Sequence, residues 1–217
     1  MPPPTPRPRK QARAVRTRQK LMDALDRLLR EREFENISVS DIAEEAGVAV
    51  GSLYSHFRDK TAFLEALLDD WRAEVEAALA ISETDANERA FRDIGNLYDA
   101  LLATTRAVHE QVVQNGHILR AVHTYTRLHP EIGGEDWQAL TMRSFTTIRT
   151  LFRVFAADIT LADTEAAIGY LGFVFNSIFI RRALMPQDTL LDAVKLDSEA
   201  LISHTADMLF AYLTRPQ

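Results

Sequence analysis

Apolar residues recur along most of this chain at the spacing of amphipathic helices. Leu21, Ala24, Leu25 and Leu28 are separated by steps of three, one and three, which marks one face of a helix over residues 11–33. No segment shows a convincing apolar-polar alternation of the kind that strands require. The pattern therefore predicts an all-α fold.

Two short helices are predicted on either side of Gly47. Ser38 precedes the first, and Asp41 stands at the position that completes a capping box. Gly47 follows this helix where a left-handed backbone ends a helix at low cost, and residues 48–57 form the second helix. Because Ala43 is small and Val48 and Leu53 can fill a shared wedge, the spacing favours a helix-turn-helix; a plain helical hairpin is the alternative.

Longer helices account for the rest of the predicted fold. An apolar stripe starting at Leu64 predicts a helix from about Asp59 that joins the two halves of the chain. After a break at residues 82–87, further helices are expected over residues 87–114, 117–128, 135–157, 163–185 and 190–213.

Composition is that of an ordinary globular protein, with 47% apolar and 26% charged residues. The most apolar stretch, residues 168–180, is shorter than the roughly 20 residues that span a bilayer, so it predicts a buried helix and no membrane contact. The basic start lacks the apolar centre of a signal peptide, although it resembles a transit peptide weakly. We expect a cytoplasmic protein. With no cysteine, disulfides and thiolate sites are excluded.

Charge is divided unevenly along the chain. The net charge is −6, yet residues 1–20 hold seven Lys or Arg and no acid, so the remaining residues carry −13. Five prolines among residues 1–8 exclude a helix at the extreme N-terminus, and residues 1–12 are predicted to be a mobile basic tail. Such asymmetry is typical of a local electrostatic contact with DNA, although Arg13, Arg16 and Arg18 are nearly as well explained as solvated charges.

The run SVSDIAEEAGVAVGSLYSHFRDKTAFLEALL at residues 38–68 resembles the TetR family of transcription regulators, most specifically in its Leu-Tyr-x-His-Phe-x-x-Lys element. The detailed match extends over residues 13–73, which we expect to be the DNA-binding domain. The resemblance implies that residues 74–217 form a helical domain for effector binding and dimerisation.

The resemblance also implies how the motif would meet DNA. Tyr54, His56 and Lys60 would contact the phosphate backbone, as phenol, imidazole and ammonium groups can. Ser38 or Ser40 would open the first short helix near a phosphate. Base edges would be met by small side chains, which leave little to bidentate hydrogen bonds. The predicted DNA-binding residues are Ser38, Ser40, Ala49, Val50, Gly51, Ser52, Tyr54, His56 and Lys60.

Dimerisation through the last two long helices is implied by the resemblance, and periodicity supports it in part. The helix at residues 163–185 is apolar on two faces and must be buried on both, once by its own domain and once by a partner chain. A monomer with both faces in one core is the alternative. The predicted interface residues are Ile168, Leu171, Phe175, Ile178, Phe179, Leu201, Met208, Leu209 and Tyr212.

An effector pocket is expected in the larger domain, although aromatic residues at helical spacing are more often ordinary core. The candidate lining residues are Phe91, Tyr98, His123, Tyr125, Trp137, Met142, Phe145 and Phe152. His117, His123 and His129 recur every six residues and so point in different directions around a helix, which predicts no metal site. No cofactor is expected.

The sequence thus predicts a homodimeric repressor that is released from an inverted-repeat operator in double-stranded DNA by a small-molecule effector; activation instead of repression stays open. An enzyme is disfavoured because no nucleophile elbow, phosphate-binding glycine loop or metal-spaced histidine pair occurs. A helical adaptor that binds protein but no DNA is the second alternative.

Overall fold

The structure is a computed structural model that describes residues 8–128, 139–140, 142–185, 189, 193 and 196–216. Helices and turns form this part of the chain, and no strand occurs in it, which confirms the all-α prediction. The helices are α1 (Pro8–Glu31), α2 (Val39–Glu45), α3 (Val50–Tyr54), α4 (Lys60–Ser82), α5 (Asp85–Ile94), α6 (Leu97–Leu128), α7 (Thr146–Val154), α8 (Thr164–Phe175), α9 (Arg181–Leu184) and α10 (Ser198–Leu213).

Helix α1 starts earlier than the sequence suggested. It begins at Pro8, so residues 8–12 are helical and do not belong to the predicted tail; residues 1–7 lie outside the described residues. Proline is tolerated in the first turn of a helix because its missing N–H would have no partner there. A short 3₁₀ turn, Phe34–Asn36, then leads into α2.

The turn between α2 and α3 has the predicted geometry. Ser38 and Asp41 form a capping box, with the Asp41 N–H donating to the Ser38 hydroxyl at 3.1 Å and the Ser38 N–H donating to the Asp41 carboxylate at 2.7 Å. Gly47 has φ +65°, and the Val48 N–H donates to the Ala43 carbonyl at 2.9 Å. This pattern is a Schellman-type ending, which lets the chain reverse direction between two short helices.

Helices α5 and α6 correct the predicted boundaries. The chain breaks at Gly95, which has φ +85°, and α6 then continues through Gly116, where a break was expected. Gly116 is buried against Ala183, to which a Cβ at Gly116 would lie 3.6 Å away. Because packing of this kind outweighs the low helix propensity of glycine, α6 is one helix of 32 residues.

The helix predicted over residues 163–185 is present but not regular. It consists of α8, a π-helical turn over Asn176–Ile180, and α9. Its span Thr164–Leu184 is long and apolar enough to cross a membrane, but 44% of its most apolar window is buried against the rest of the chain. Gly172 allows close packing on α7, since a Cβ there would overlap the Phe145 ring. These features agree with the predicted buried helix.

Two apolar cores lie along the molecule, and α6 belongs to both. The first core is formed by α1 to α4 together with Ile118, Ala121 and Tyr125 from the end of α6. The second is formed by α5, α7, α8, α10 and the first half of α6. The two ends of α6 are therefore held by different groups of helices.

A hydrogen-bonded pair fastens α6 to α1. His117 Nε2 lies 2.7 Å from Asp26 Oδ1, and Asp26 Oδ2 accepts from Arg30 at 3.1 Å. Burial lowers the pKa of His117, although its bond to Asp26 acts in the opposite direction. The pKa of Asp26 also lies below its usual value: burial raises it, but His117 and Arg30 more than offset that effect. We therefore assign a neutral His117 that donates Nε2–H to an ionised Asp26.

Replacing Gly47 by alanine should destabilise the chain by about 1 kcal/mol, because an L-residue is strained in the left-handed backbone region. A Cβ at Gly47 would have no atom within 4 Å, so strain in φ is the only cost. Urea unfolding measures the change. Gly51→Ala is the matched control: Gly51 also has open space but lies in α3, and this variant should be neutral or more stable. Equal effects of the two substitutions would contradict this account.

Stability should fall as the pH drops below 6.5, the ordinary pKa of histidine. Since the pKa of His117 is lowered in the folded chain, the unfolded chain binds more protons below that pH, so acid favours unfolding. The lowered pKa of His109 acts in the same direction. Unfolding midpoints measured from about pH 7.5 to 5.5 test this.

His117→Gln keeps a donor for Asp26 but cannot titrate, so it should flatten the pH profile of the unfolding midpoint. His123→Gln, at an exposed position of the same helix, is the matched control and should keep the wild-type profile. A profile that is equally steep in His117→Gln and in the wild type would contradict the assignment of a neutral His117.

Candidate nucleic-acid interface

Helix α3 presents a surface of small side chains to solvent. Leu53 is fully buried and fixes the helix to the first core. The residues on its other sides are all exposed: Ala49, Val50, Gly51, Ser52, Tyr54 and Ser55. Small exposed side chains allow a helix to approach a major groove closely, and alanine and valine methyl groups can meet the methyl group of thymine.

An aromatic stack supports α3 from below. The Phe57 and Phe63 rings lie 3.7 Å apart between centroids and are close to parallel, and both are buried. This stack joins the end of α3 to the start of α4, so the orientation of α3 is fixed by core packing. Tyr54, by contrast, is 56% exposed.

The two predicted serines lie at the start of α2. The Ser38 oxygen accepts the N–H of Asp41, and both the backbone and the side chain of Ser38 are hydrogen-bonded to the Asp41 carboxyl group. Ser40 is exposed in the first turn. The Ser38 N–H holds the pKa of Asp41 below its usual value, so this carboxyl group remains ionised beside the serine.

Lys60 is held at the start of α4 by two contacts. Its Nζ donates to the Glu35 carbonyl at 3.2 Å and lies 4.3 Å from the centroid of the Phe34 ring. Partial burial lowers the pKa of this ammonium group. The side chain is thereby oriented before any ligand arrives, with donors left over because an ammonium group has three N–H bonds.

The basic arm on α1 is partly used within the protein. Arg18 pairs with Asp70 at 3.3 Å and lies over the Phe57 ring at 5.7 Å, and Arg16 donates to the Ala12 carbonyl of its own helix. Arg13 is exposed. Of these three arginines, Arg18 therefore has a clear role in fixing α1 to α4.

The predicted pocket residues are divided between the two cores and the surface. Phe91 and Phe152 are buried in the second core, with Phe145 packed against it, whereas Tyr125 is buried in the first core against Phe34, 6.5 Å between ring centroids. Tyr98 donates to Asp207 at 2.9 Å near the surface. His123 and Met142 are exposed, and Trp137 lies outside the described residues. These side chains do not share one site.

The predicted interface residues require a correction. Six of them are buried in the core of their own chain and have little exposed surface left for a partner: Ile168, Leu171, Phe175, Phe179, Leu201 and Leu209. Ile178 and Tyr212 are half-buried, and Met208 is 47% exposed. Periodicity shows that both apolar faces must be covered but does not show by what.

The outer face of α8 and α10 carries several exposed apolar side chains. Phe173 is 66% and Tyr170 49% exposed on α8, and the Tyr170 ring lies 5.2 Å from that of Tyr212 on α10. Met208 stands one turn before Tyr212. Tyr170 and Phe173 are not among the predicted interface residues.

Several polar contacts between distant parts of the chain had no signal in the sequence. Asp26 and His117 are 91 residues apart, and Arg106 binds Glu199 through two hydrogen bonds of 2.6 and 2.8 Å. Within the described residues, no group of three or more metal-binding side chains occurs.

Residues 21–67 match the profile of bacterial regulatory proteins of the tetR family. The A-factor receptor protein of Streptomyces griseus is 37% identical over 67 residues, which is 31% of this chain and 24% of that protein. The match thus spans about a quarter of that relative's length.

Solved structures extend the similarity to the whole fold. A putative TetR-family transcriptional regulator from Mesorhizobium loti has a TM-score of 0.63 at 15% identity, covering 93% of this chain and 96% of that one. NalD of Pseudomonas aeruginosa, the secondary repressor of the MexAB-OprM multidrug efflux pump, has a TM-score of 0.56 at 20% identity, covering 94% and 100%. At these identities the likeness concerns the fold.

Proposed function

This chain belongs to the TetR family of DNA-binding transcription regulators, and we propose that it is a homodimeric repressor that leaves a palindromic operator when a small-molecule effector binds. Regulators of this family are not enzymes, in keeping with the sequence analysis. NalD, whose fold is similar, is a repressor, and the Streptomyces griseus relative is a receptor. The role of NalD supports repression, and the receptor role of the Streptomyces griseus relative supports release by a small-molecule effector.

The observation that carries the DNA-binding proposal is the exposed surface of α3. The buried Leu53 fixes the orientation of α3. The exposed side chains at the start of this helix are all small: Ala49, Val50, Gly51 and Ser52. A surface of this kind suits insertion into a major groove, with apolar contact to thymine methyl groups and one serine hydroxyl. Little base-specific hydrogen bonding is available, so DNA shape contributes to specificity.

Backbone contacts are proposed for the side chains around this surface. Tyr54 is exposed, the half-buried His56 follows it, and Lys60 is oriented by Glu35 and Phe34. Ser38 and Ser40 at the start of α2 would add hydroxyl donors. Phosphate contacts of this type fix the register of a protein on the duplex and leave base reading to α3.

Homodimerisation is proposed through the outer face of α8 and α10. Tyr170, Phe173, Met208 and Tyr212 give a continuous apolar surface on these two helices. Regulators of this family are typically dimeric, so a second copy of this chain is the proposed occupant. Two recognition helices about 34 Å apart would then read an inverted repeat.

The remaining assignments follow from this function. We propose that residues 13–73 form the DNA-binding domain and residues 74–217 the effector-binding and dimerisation domain, with α6 reaching back into the first. An effector would act by binding more tightly to the conformation that has low affinity for the operator. A cytoplasmic location is proposed because the operator DNA is there.

Selection of bound sequences from a random duplex pool should enrich one inverted repeat. Lys60→Met should weaken binding to that repeat, because it removes the proposed contact of the Lys60 ammonium group with a phosphate. The slope of log affinity against log salt should fall by about 1 for each phosphate that the variant no longer neutralises. Gel retardation or fluorescence anisotropy at several salt concentrations measures both quantities.

Arg89→Met is the matched control, since Arg89 is an exposed cation on α5 far along the chain from α3. It should leave the affinity and the salt slope unchanged. Unfolding midpoints of both variants show whether each is folded. No enrichment of any sequence at low salt would contradict the proposal and favour an adaptor that binds protein and no DNA.

Light scattering should give a solution mass of two chains of 24.5 kDa each at micromolar concentration. Phe173→Asp should shift the protein toward monomer, because a charge would be buried between two apolar faces. Val113→Asp is the control, since Val113 is also 60% exposed but lies on α6. A wild-type mass of one chain, or dissociation by both variants alike, would contradict this interface.

A further inference from the structure

Two buried polar groups in the second core lack a hydrogen-bond partner. They are Nε2 of His109 on α6 and Nη1 of Arg182 on α9, and within the described part of the chain no acceptor or donor reaches either atom. The His109 residue is only 7% exposed. Arg182 as a residue is half-buried, but its Nη1 atom is not accessible to solvent. Buried polar atoms are almost always paired, so two unpaired ones need an explanation.

The two groups act on each other across the interface of α6 with the π-helical turn and α9. The positive charge of Arg182 is felt at His109, where it disfavours a second positive charge and so lowers the pKa of the ring. The Phe179 ring, one turn before Arg182, packs edge-on against the His109 ring at 5.7 Å between centroids. Arg182 and His109 are therefore neighbours at the contact between α6 and α9, and the Phe179 ring packs beside them.

Among the described residues, Glu110 and Glu199 carry the negative charges that act on His109, and neither is hydrogen-bonded to its Nε2 atom. Glu199, whose charge acts on His109, binds Arg106 through both carboxylate oxygens. The buried Thr105 hydroxyl donates to the Leu101 carbonyl of its own helix at 2.7 Å. The Ala183 carbonyl accepts from Arg120 at 3.1 Å. Within the part of the chain that the structure describes, no acceptor is hydrogen-bonded to Arg182 Nη1.

The backbone is irregular at the same place. The π-helical turn Asn176–Ile180 ends directly before α9 and two residues before Arg182. A π turn adds a residue within a helix and changes the direction of the side chains that follow it, and such turns are frequent at functional sites. The irregularity thus coincides with the unpaired groups.

The chemistry of the pair specifies its ligand. Burial, and then the charge of Arg182, lower the pKa of His109, so its ring is neutral at neutral pH and one ring nitrogen can donate. The site then has one positive charge and two unpartnered donor nitrogens, which matches a group with one negative charge and two acceptor oxygens. The surrounding core residues are apolar, among them Phe175, Phe179 and Val112.

We propose that Arg182 and His109 bind the carboxylate of an apolar monocarboxylic acid, which is the class of effector for this regulator. The acid's oxygens accept from Arg182 Nη1 and His109 Nε2, and its apolar part is held among the side chains of the second core. This inference rests on the proposed function, since it names the chemistry of the effector. A dianion such as a phosphate would need more donors than the pair supplies.

Thermal unfolding of the full-length protein with added acids tests the site. The probes are the straight-chain carboxylates from hexanoate to dodecanoate, benzoate and phenylacetate, each compared with its primary amide, which is similar in size but uncharged. At least one acid should raise the unfolding midpoint while its amide does not, and calorimetry on that acid gives its Kd. An acid series without any such shift, or amides that bind as tightly as the acids, would overturn the proposal.

Arg182→Met should weaken the binding of that acid by more than about tenfold, since it removes the charge-assisted bond. Without acid, this variant should unfold at the same temperature as the wild type or higher, because the substitution breaks no hydrogen bond at Nη1 and removes a buried donor that has no partner. His109→Phe, beside Phe179, should also weaken binding and serves if Arg182→Met does not fold. Arg181→Met, at the exposed neighbouring position, is the control with wild-type affinity. Wild-type affinity in Arg182→Met would overturn the proposal.

Operator binding by the same proteins separates the two proposals. If acids fail to bind while the protein still retards its selected DNA, only the effector site is wrong. If the protein binds acid through Arg182 but no DNA sequence, the effector site stands and the proposed regulatory function fails.

Discussion

The packing of α6 into the core of the DNA-binding helices is the constraint on which the rest of the structure depends. Ile118, Ala121 and Tyr125 complete the first core, and His117 closes the contact through Asp26. Without this end of α6, helices α1 to α4 would expose part of their apolar surface. Because the other end of α6 lies in the second core, the two cores cannot shift independently of this helix.

The exposed surface of α3 is fixed in position but offers few hydrogen-bonding groups. Leu53 and the Phe57–Phe63 stack fix α3, while its exposed side chains are mainly small or apolar. Most polar interactions near it, such as Ser38 with Asp41 and Lys60 with Glu35, hold the protein itself together. Selectivity among DNA sequences then depends on how closely the helix can approach and on the shape of the groove.

Local features of the fold could be predicted from the sequence, and long-range ones could not. The capping box of α2, the left-handed Gly47 and the buried Phe57 follow from residue chemistry at neighbouring positions. The continuation of α6 through Gly116 depends on Ala183, which lies 67 residues away, so propensity misplaced that boundary. The same limit applies to the candidate sites: periodicity found two apolar faces on α8 but not which one faces the solvent, and nothing local relates Asp26 to His117.

The π-helical turn before α9 sets the phase of the helix that follows. In an α-helix each residue advances the side-chain direction by about 100°, so one residue removed from Asn176–Ile180 would restore regular hydrogen bonding and rotate Arg182 away from His109. Relatives that differ by a single-residue deletion here would place another side chain of α9 beside His109, while the residues of α3 stay the same. In such a lineage the class of molecule sensed could change in one genetic step, through the length of a helix and with no change at the residue that binds.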